Sequence, residues 1–131
     1  MQKAMPTSVG EWLDSYAQAL QDEVILDSIA KNEAAIITGD FNSRPLDEPI
    51  RIITAKNARN HLTDSKEVAA SPHYGPTGTF NGFGPKERDD DPIDYIFIKG
   101  KIQVLSHATI SESWNGRFAS DHFAVLAVVR L

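Results

Sequence analysis

The sequence contains no cysteine, which excludes disulfide staples, thiol nucleophiles and thiolate metal ligands. It is also short of positive charge: 13 Lys and Arg stand against 18 Asp and Glu, a formal net charge of −5. No bulk positive field gathers a polyanion, so a phosphate-bearing substrate has to be held by local groups or a cation. Long duplex nucleic acid is disfavoured as a partner. Long apolar runs are missing too. Nothing approaches the roughly 20 apolar residues of a membrane span, and Met1 to Ser8 has no apolar stretch of leader length. These absences leave the compartment open. What remains, 131 residues that are 41% hydrophobic and 24% charged, suffices for one globular unit with its own core.

Ser8 with Glu11 three residues on resembles a helix capping box, and Leu13, Tyr16, Ala17, Leu20 and Val24 then share one helical face. An amphipathic helix over 9–31 is expected, with Trp12 and Tyr16 in the core. Ala34 to Thr38 is continuously apolar and β-branched, as in a strand buried on both faces, and Gly39 ends it. Asp47 and Pro49 open a second helix with Ile50, Ile53 and Ala58 inward, and His61 to Ala70 holds a further helical turn. Much of the glycine and proline falls between Ser71 and Pro92, a loop system with a short strand expected at Thr77 to Phe80. Strands Ile93 to Ile98, Ile102 to Ile110 and Phe123 to Leu131 follow, the first two joined by a tight turn at Lys99-Gly100-Lys101. The expected class is α/β (α+β), a mixed sheet with helices on one face.

Chemistry collects where apolar runs end. Asp40 and Asn42 close the first strand, Asp94 lies between apolar neighbours, and Asp121-His122 precedes the last strand. An acid and an amide at one strand tip, with an acid and an imidazole beside another, are the groups a metal-assisted phosphoester hydrolase uses. Read alone, Gly39-Asp40-Phe41-Asn42 is a turn, and Asp121 is open to capping a bulge. His61, His73 and His107 have no carboxylate at metal-like spacing and read as surface or capping residues. Asp89, Asp90 and Asp91 lack the alternation of a calcium loop and read as a solvated turn. Trp114 reads as a lid or as a hydrophobic plug.

Four motifs taken together, Gly39-Asp40-Phe41-Asn42, Gly78-Thr79-Phe80-Asn81-Gly82-Phe83, Ile93-Asp94-Tyr95-Ile96-Phe97 and Ser120-Asp121-His122, resemble the carboxy-terminal signatures of the endonuclease/exonuclease/phosphatase superfamily, the DNase I-like fold. Their order and spacing agree with it from about Ala34 to the end. The resemblance implies half of a four-layer αββα sandwich, residues 1–131 forming a single unit with helix 9–31 and the catalytic sheet and loops over 34–131. In that family the amino-terminal half supplies an Asn, a metal-binding Glu and a His or Tyr. Glu11 and Glu23 lie in a helical pattern and match none of these.

The resemblance implies catalytic roles for Asp40, Asn42, Asp94 and His122, metal ligation by Asp121 and Asp40, and substrate contact by Asn81 and Phe83. Mg²⁺ is the expected ion, with Mn²⁺ as the alternative, because the ligands are hard oxygens. Asp94 would fix the His122 tautomer and raise its basicity, Asp40 would prepare water or contact metal, and Asn42 would hold water or a phosphate oxygen. The family includes nucleases, deadenylase-like enzymes, sphingomyelinases and inositol-phosphate phosphatases, so the phosphate-ester substrate is not specified. The alternative is a catalytically silent half-domain acting as a binding or dimerisation module. Either way an apolar face on strands Ile93 to Ile98 and Phe123 to Leu131 is expected to seek a missing amino-terminal half or a homodimer partner.

Overall fold

The computed structural model describes residues 33–57, 60–84 and 90–131. The helix expected over 9–31 lies outside them, as does Ala58. Strand β1 (Ala35–Asp40) runs antiparallel to β3 (Asp94–Lys99), and the other edge of β3 takes the two-residue β2 (Thr63–Asp64). A second ladder pairs β4 (Gln103–Ile110) with β5 (Ala124–Arg130), also antiparallel. The parallel pairing among the described residues is a single bridge, Tyr74 to Ala108.

Alternation along β1 and β3 decides what each face does. Ile37 pairs with Phe97 and Gly39 with Tyr95, and this side packs with Phe41, Ile50, Ile53 and Leu62 into the main core. The rings of Phe41 and Phe97 meet edge to face at 5.1 Å, a geometry their quadrupoles favour. Helix α1 (Glu48–Thr54) covers this face through Pro49, Ile50 and Ile53; Pro49 sits in its first turn, where no N–H is needed. The short helix α2 (Ser65–Val68) starts from Asp64, whose carboxylate accepts the Lys66 N–H.

The opposite side of the β1–β3 pair carries Ile36 beside Ile98, Thr38 beside Ile96, and Asp40 beside Asp94 at the rim. Strand β1 is therefore not buried on both faces: Ile36 is 46% exposed. Of the two strands expected to present an apolar face, β5 exposes Leu126 and Val128, beside Ile36 of β1, whereas Ile98 of β3 joins a second core with Ile102 and Val104, backed by Ala69 and Val129.

Strand β4 is interrupted by a bulge. Val104 faces Val129 and Ser106 faces Val128, so Leu105 has no partner and the alternation shifts by one residue. The inward residues become Val104, His107 and Thr109. Against this strand lies the loop after α2, where Gly75 has φ +87° and any Cβ would fall 2.0 Å from the Thr109 carbonyl oxygen. Only glycine serves there. The strand expected at Thr77 to Phe80 is reduced to a bridge between Phe80 and His122.

Candidate active site at the sheet rim

Asp40 ends β1 and Asp94 starts β3, and antiparallel pairing sets them directly opposite each other. Two carboxylates in that relation repel, and His122 lies against both. Its Nδ1 is 2.8 Å from Asp94 Oδ2 and its Nε2 is 3.8 Å from Asp40 Oδ2. The hydrogen bond to Asp94 raises the His122 pKa above the ordinary imidazole value; the charges of Asp94, Asp40 and Asp121 add to this, and partial burial opposes it. One ligand atom from each of Asp40, Asp94 and His122 lies within 4.8 Å of the others, a set able to hold a cation.

The backbone around this trio is tied at several points. Thr79, 1% exposed, accepts through Oγ1 from the N–H groups of Ile93 and Asp94, while its carbonyl accepts from Phe123 N–H. The Tyr95 hydroxyl lies 2.7 Å from the Ser43 carbonyl and 3.0 Å from that of Pro92, joining the loop after β1 to the one before β3. Burial pushes its pKa up, so it remains a donor. The Ser120 Oγ accepts the His122 N–H, and the Phe80 ring meets the imidazole edge-on at 5.3 Å. Thr79 and Tyr95 lie within the sequence motifs without an expected role, and their signal is there: a hydroxyl among apolar neighbours has to be partnered when buried. The exposed Ser120 carries no such signal.

Asn42 does not continue the strand. It takes a left-handed φ of 49°, which Asn tolerates, and its N–H donates to Asp40 Oδ1 at 2.8 Å. Its side chain is exposed at the rim. Asn81 is 0% exposed, with Nδ2 donating to the Ser120 carbonyl and Oδ1 accepting from Phe83 N–H. The expected substrate contact does not suit a side chain so engaged; burial makes it a clasp between two loops. Phe83 has φ 58° and is 64% exposed. Asp121 stands outside the Asp40–Asp94–His122 group, and its carbonyl accepts from the N–H groups of Asn81 and Gly82.

His107 departs from its expected surface or capping role. It is buried, and its Nδ1 lies 2.9 Å from Nδ1 of His73, whose Nε2 is 3.0 Å from the Pro76 carbonyl. Nothing in the sequence spacing pairs them, because the contact joins a loop to β4.

The chain belongs to the endonuclease/exonuclease/phosphatase family, whose model matches residues 4–122. Its fold is the DNase I-like one. A functionally unknown conserved protein from Enterococcus faecalis V583 is 34% identical, with TM-score 0.76 over 88% of this chain and 45% of that one. A family member from Bacteroides vulgatus is 26% identical, with TM-score 0.79 over 89% and 45% of the two chains. The mannosyl-6-phosphatase Bt3783 from Bacteroides thetaiotaomicron VPI-5482 is 27% identical, with TM-score 0.71 over 94% and 48%. This chain thus spans about half the length of these structures. A comparison with curated proteins gives no match.

Proposed function

We propose that the chain carries the phosphate-handling part of a metal-dependent phosphoester hydrolase. The observation that carries this reading is the Asp40–His122–Asp94 arrangement at one sheet rim. Asp94 holds Nδ1 of His122 and leaves Nε2 toward the rim, where a cationic imidazole neutralises a phosphate oxygen or protonates the leaving oxygen. Asp40, oriented by the Asn42 N–H, accepts a proton from the attacking water. The exposed Asn42 amide positions that water or a phosphate oxygen without adding repulsion.

Asp40, exposed at the rim within the three-residue group able to hold a cation, is the hard oxygen ligand the site offers and would hold Mg²⁺ or Mn²⁺. Asp121, which stands outside that group, is the further carboxylate the family resemblance adds. When bound, such an ion supplies charge neutralisation at the phosphate. The mannosyl-6-phosphatase among the similar structures makes a hexose 6-phosphate the first substrate to try.

The reading is tested by phosphate release from a hexose 6-phosphate with Mg²⁺, together with NMR of the His122 ring during titration with inorganic phosphate. Because the chain spans about half of its relatives, turnover near background is expected alongside a clear His122 response that Asp40→Ala weakens. Strong turnover abolished by Asp40→Ala would support the hydrolase and show that the residues of this chain suffice for it. Silence in both measurements sinks the hydrolase reading.

The second reading, a silent half-domain that docks or dimerises, rests on the outward Ile36, Leu126 and Val128. A stable interface buries ~800 Å² per partner. Sedimentation at micromolar concentration distinguishes a monomer from a dimer, and a persistent monomer removes the dimer.

A further inference from the structure

The loop between β4 and β5 contains a small rigid hairpin. Trp114 and Arg117 exchange both backbone hydrogen bonds, at 2.9 and 3.0 Å, around Asn115 and Gly116. These two have φ 53° and 75°, the double positive-φ signature of a type I′ turn, for which Asn-Gly is the favoured pair. A residue pair sharing both hydrogen bonds sends its side chains to one face of the ribbon. The indole and the guanidinium therefore stand side by side.

Among the described residues, neither side chain makes an ion pair or a ring contact. Trp114 is 65% exposed, which removes the hydrophobic-plug role, and Arg117 is exposed and pairs with no carboxylate among the described residues. The surface between them is concave: Trp114, Asn115, Arg117, Phe118 and Ala119 line an open pocket of about 610 Å³. Phe118 ties the hairpin to the chain next to the rim site: it packs edge to face on Phe123 at 5.3 Å, and Phe123 follows His122 directly. The loop also leaves the second ladder where Ile110 faces Ala124, the end of β5 next to His122. Indole, guanidinium and amide together suit a ring with an apolar face and a hydroxyl-bearing edge.

Resting on the hydrolase reading above, we infer that the Trp114–Arg117 hairpin is the specificity element of the rim site, holding the sugar ring of a hexose phosphate. Trp114 stacks on the apolar face of the ring, Arg117 donates to its hydroxyl oxygens, and the phosphate reaches His122. The type I′ turn fixes the backbone from which both side chains project, so the hairpin itself need not be ordered by the ligand.

The test uses the chain with Mg²⁺ and two NMR reporters, the His122 ring and the Trp114 indole N–H. Inorganic phosphate is expected to shift His122 alone, and mannose 6-phosphate or glucose 6-phosphate to shift both. Trp114→Ala and Arg117→Gln should each weaken hexose-phosphate binding about tenfold, a loss of roughly 1.4 kcal/mol, with inorganic phosphate binding unchanged. Trp114→Tyr should restore most of it. A His122 response to hexose phosphate with Trp114 unmoved overturns the inference and leaves the hydrolase reading standing. Silence at both reporters removes the two together. Equal shifts of Trp114 by adenosine monophosphate would assign the ring to a base and overturn the sugar.

Discussion

Two histidines in this molecule have opposite surroundings and respond oppositely. His122, at an open rim, has a carboxylate at each ring nitrogen and is held toward its cationic form. His107, beneath a loop, meets another imidazole and is lowered to about 4, by burial first and then by the nearby charges of His73 and Lys66. A group buried among apolar neighbours is best kept neutral, and one between acids is best kept charged. The first carries the charge that the proposed phosphate chemistry calls for; the second fastens a loop to β4.

The largest effect should come from breaking the buried side. Gly75→Ala puts a Cβ 2.0 Å from the Thr109 carbonyl oxygen at φ +87°, and a loss on the order of 3 kcal/mol is expected in urea unfolding. A near-neutral substitution would mean that the loop does not press on β4 as described. Next comes Asn81→Ala, which strands the Phe83 N–H and the Ser120 carbonyl and should cost about 2 kcal/mol. The His122 ring resonance should broaden in this variant, because the clasp behind the Ser120–His122 turn is gone.

Acid should separate the two histidines. The unfolded chain takes up a proton at His107 near pH 6.5, while the folded chain resists it down to about 4. Stability from this group is thus complete above pH 6.5 and is lost as pH falls toward 4. The thermal midpoint should decline across that window, and His107→Gln should flatten the decline. His122, with its folded pKa raised, has the opposite sign: its contribution is full below the ordinary imidazole value and fades as pH rises through the folded one. Asp94→Asn should move the His122 titration toward lower pH by NMR. An unchanged titration would mean that the 2.8 Å contact does not set its charge. The smallest effect on folding is expected for Phe83→Ala, within about 0.5 kcal/mol, since the ring is largely exposed.

The rim residues stand out in the sequence because Asp40 ends an apolar run and Asp94 interrupts another, but alone these read as turn or surface positions. It is the four-motif resemblance that singles out Asp40, Asp94 and His122, and antiparallel pairing then explains why Asp40 and Asp94 meet. The helix at Glu48–Thr54 and the strands β3 to β5 were legible from Pro49 and from β-branched runs. The His73–His107 contact was not, because pairing across 34 residues depends on the path of a glycine-rich loop. Asn81 departs from the exposed position its motif suggests for a related reason. A polar residue in a loop motif reads as exposed until its two hydrogen bonds to distant backbone are known. Strand β1 misled through its continuous apolar run, which does not reveal that one face carries the rim acids.

The unpaired Leu105 in β4 acts like a frameshift written in space. Upstream of it the even-numbered residues Ile102 and Val104 are buried; downstream the odd-numbered His107 and Thr109 are. Were the ladder to run through Leu105 without the bulge, the phase of everything after it would invert and present Ser106 and Ala108 to the interior, and the histidine fastening and the Thr109 carbonyl beneath Gly75 would be lost together. Deleting Leu105 itself would instead close the bulge, since Val104 and Ser106 already face neighbouring residues of β5, and keep His107 and Thr109 inward. For this strand, length is a tolerant variable and parity is not.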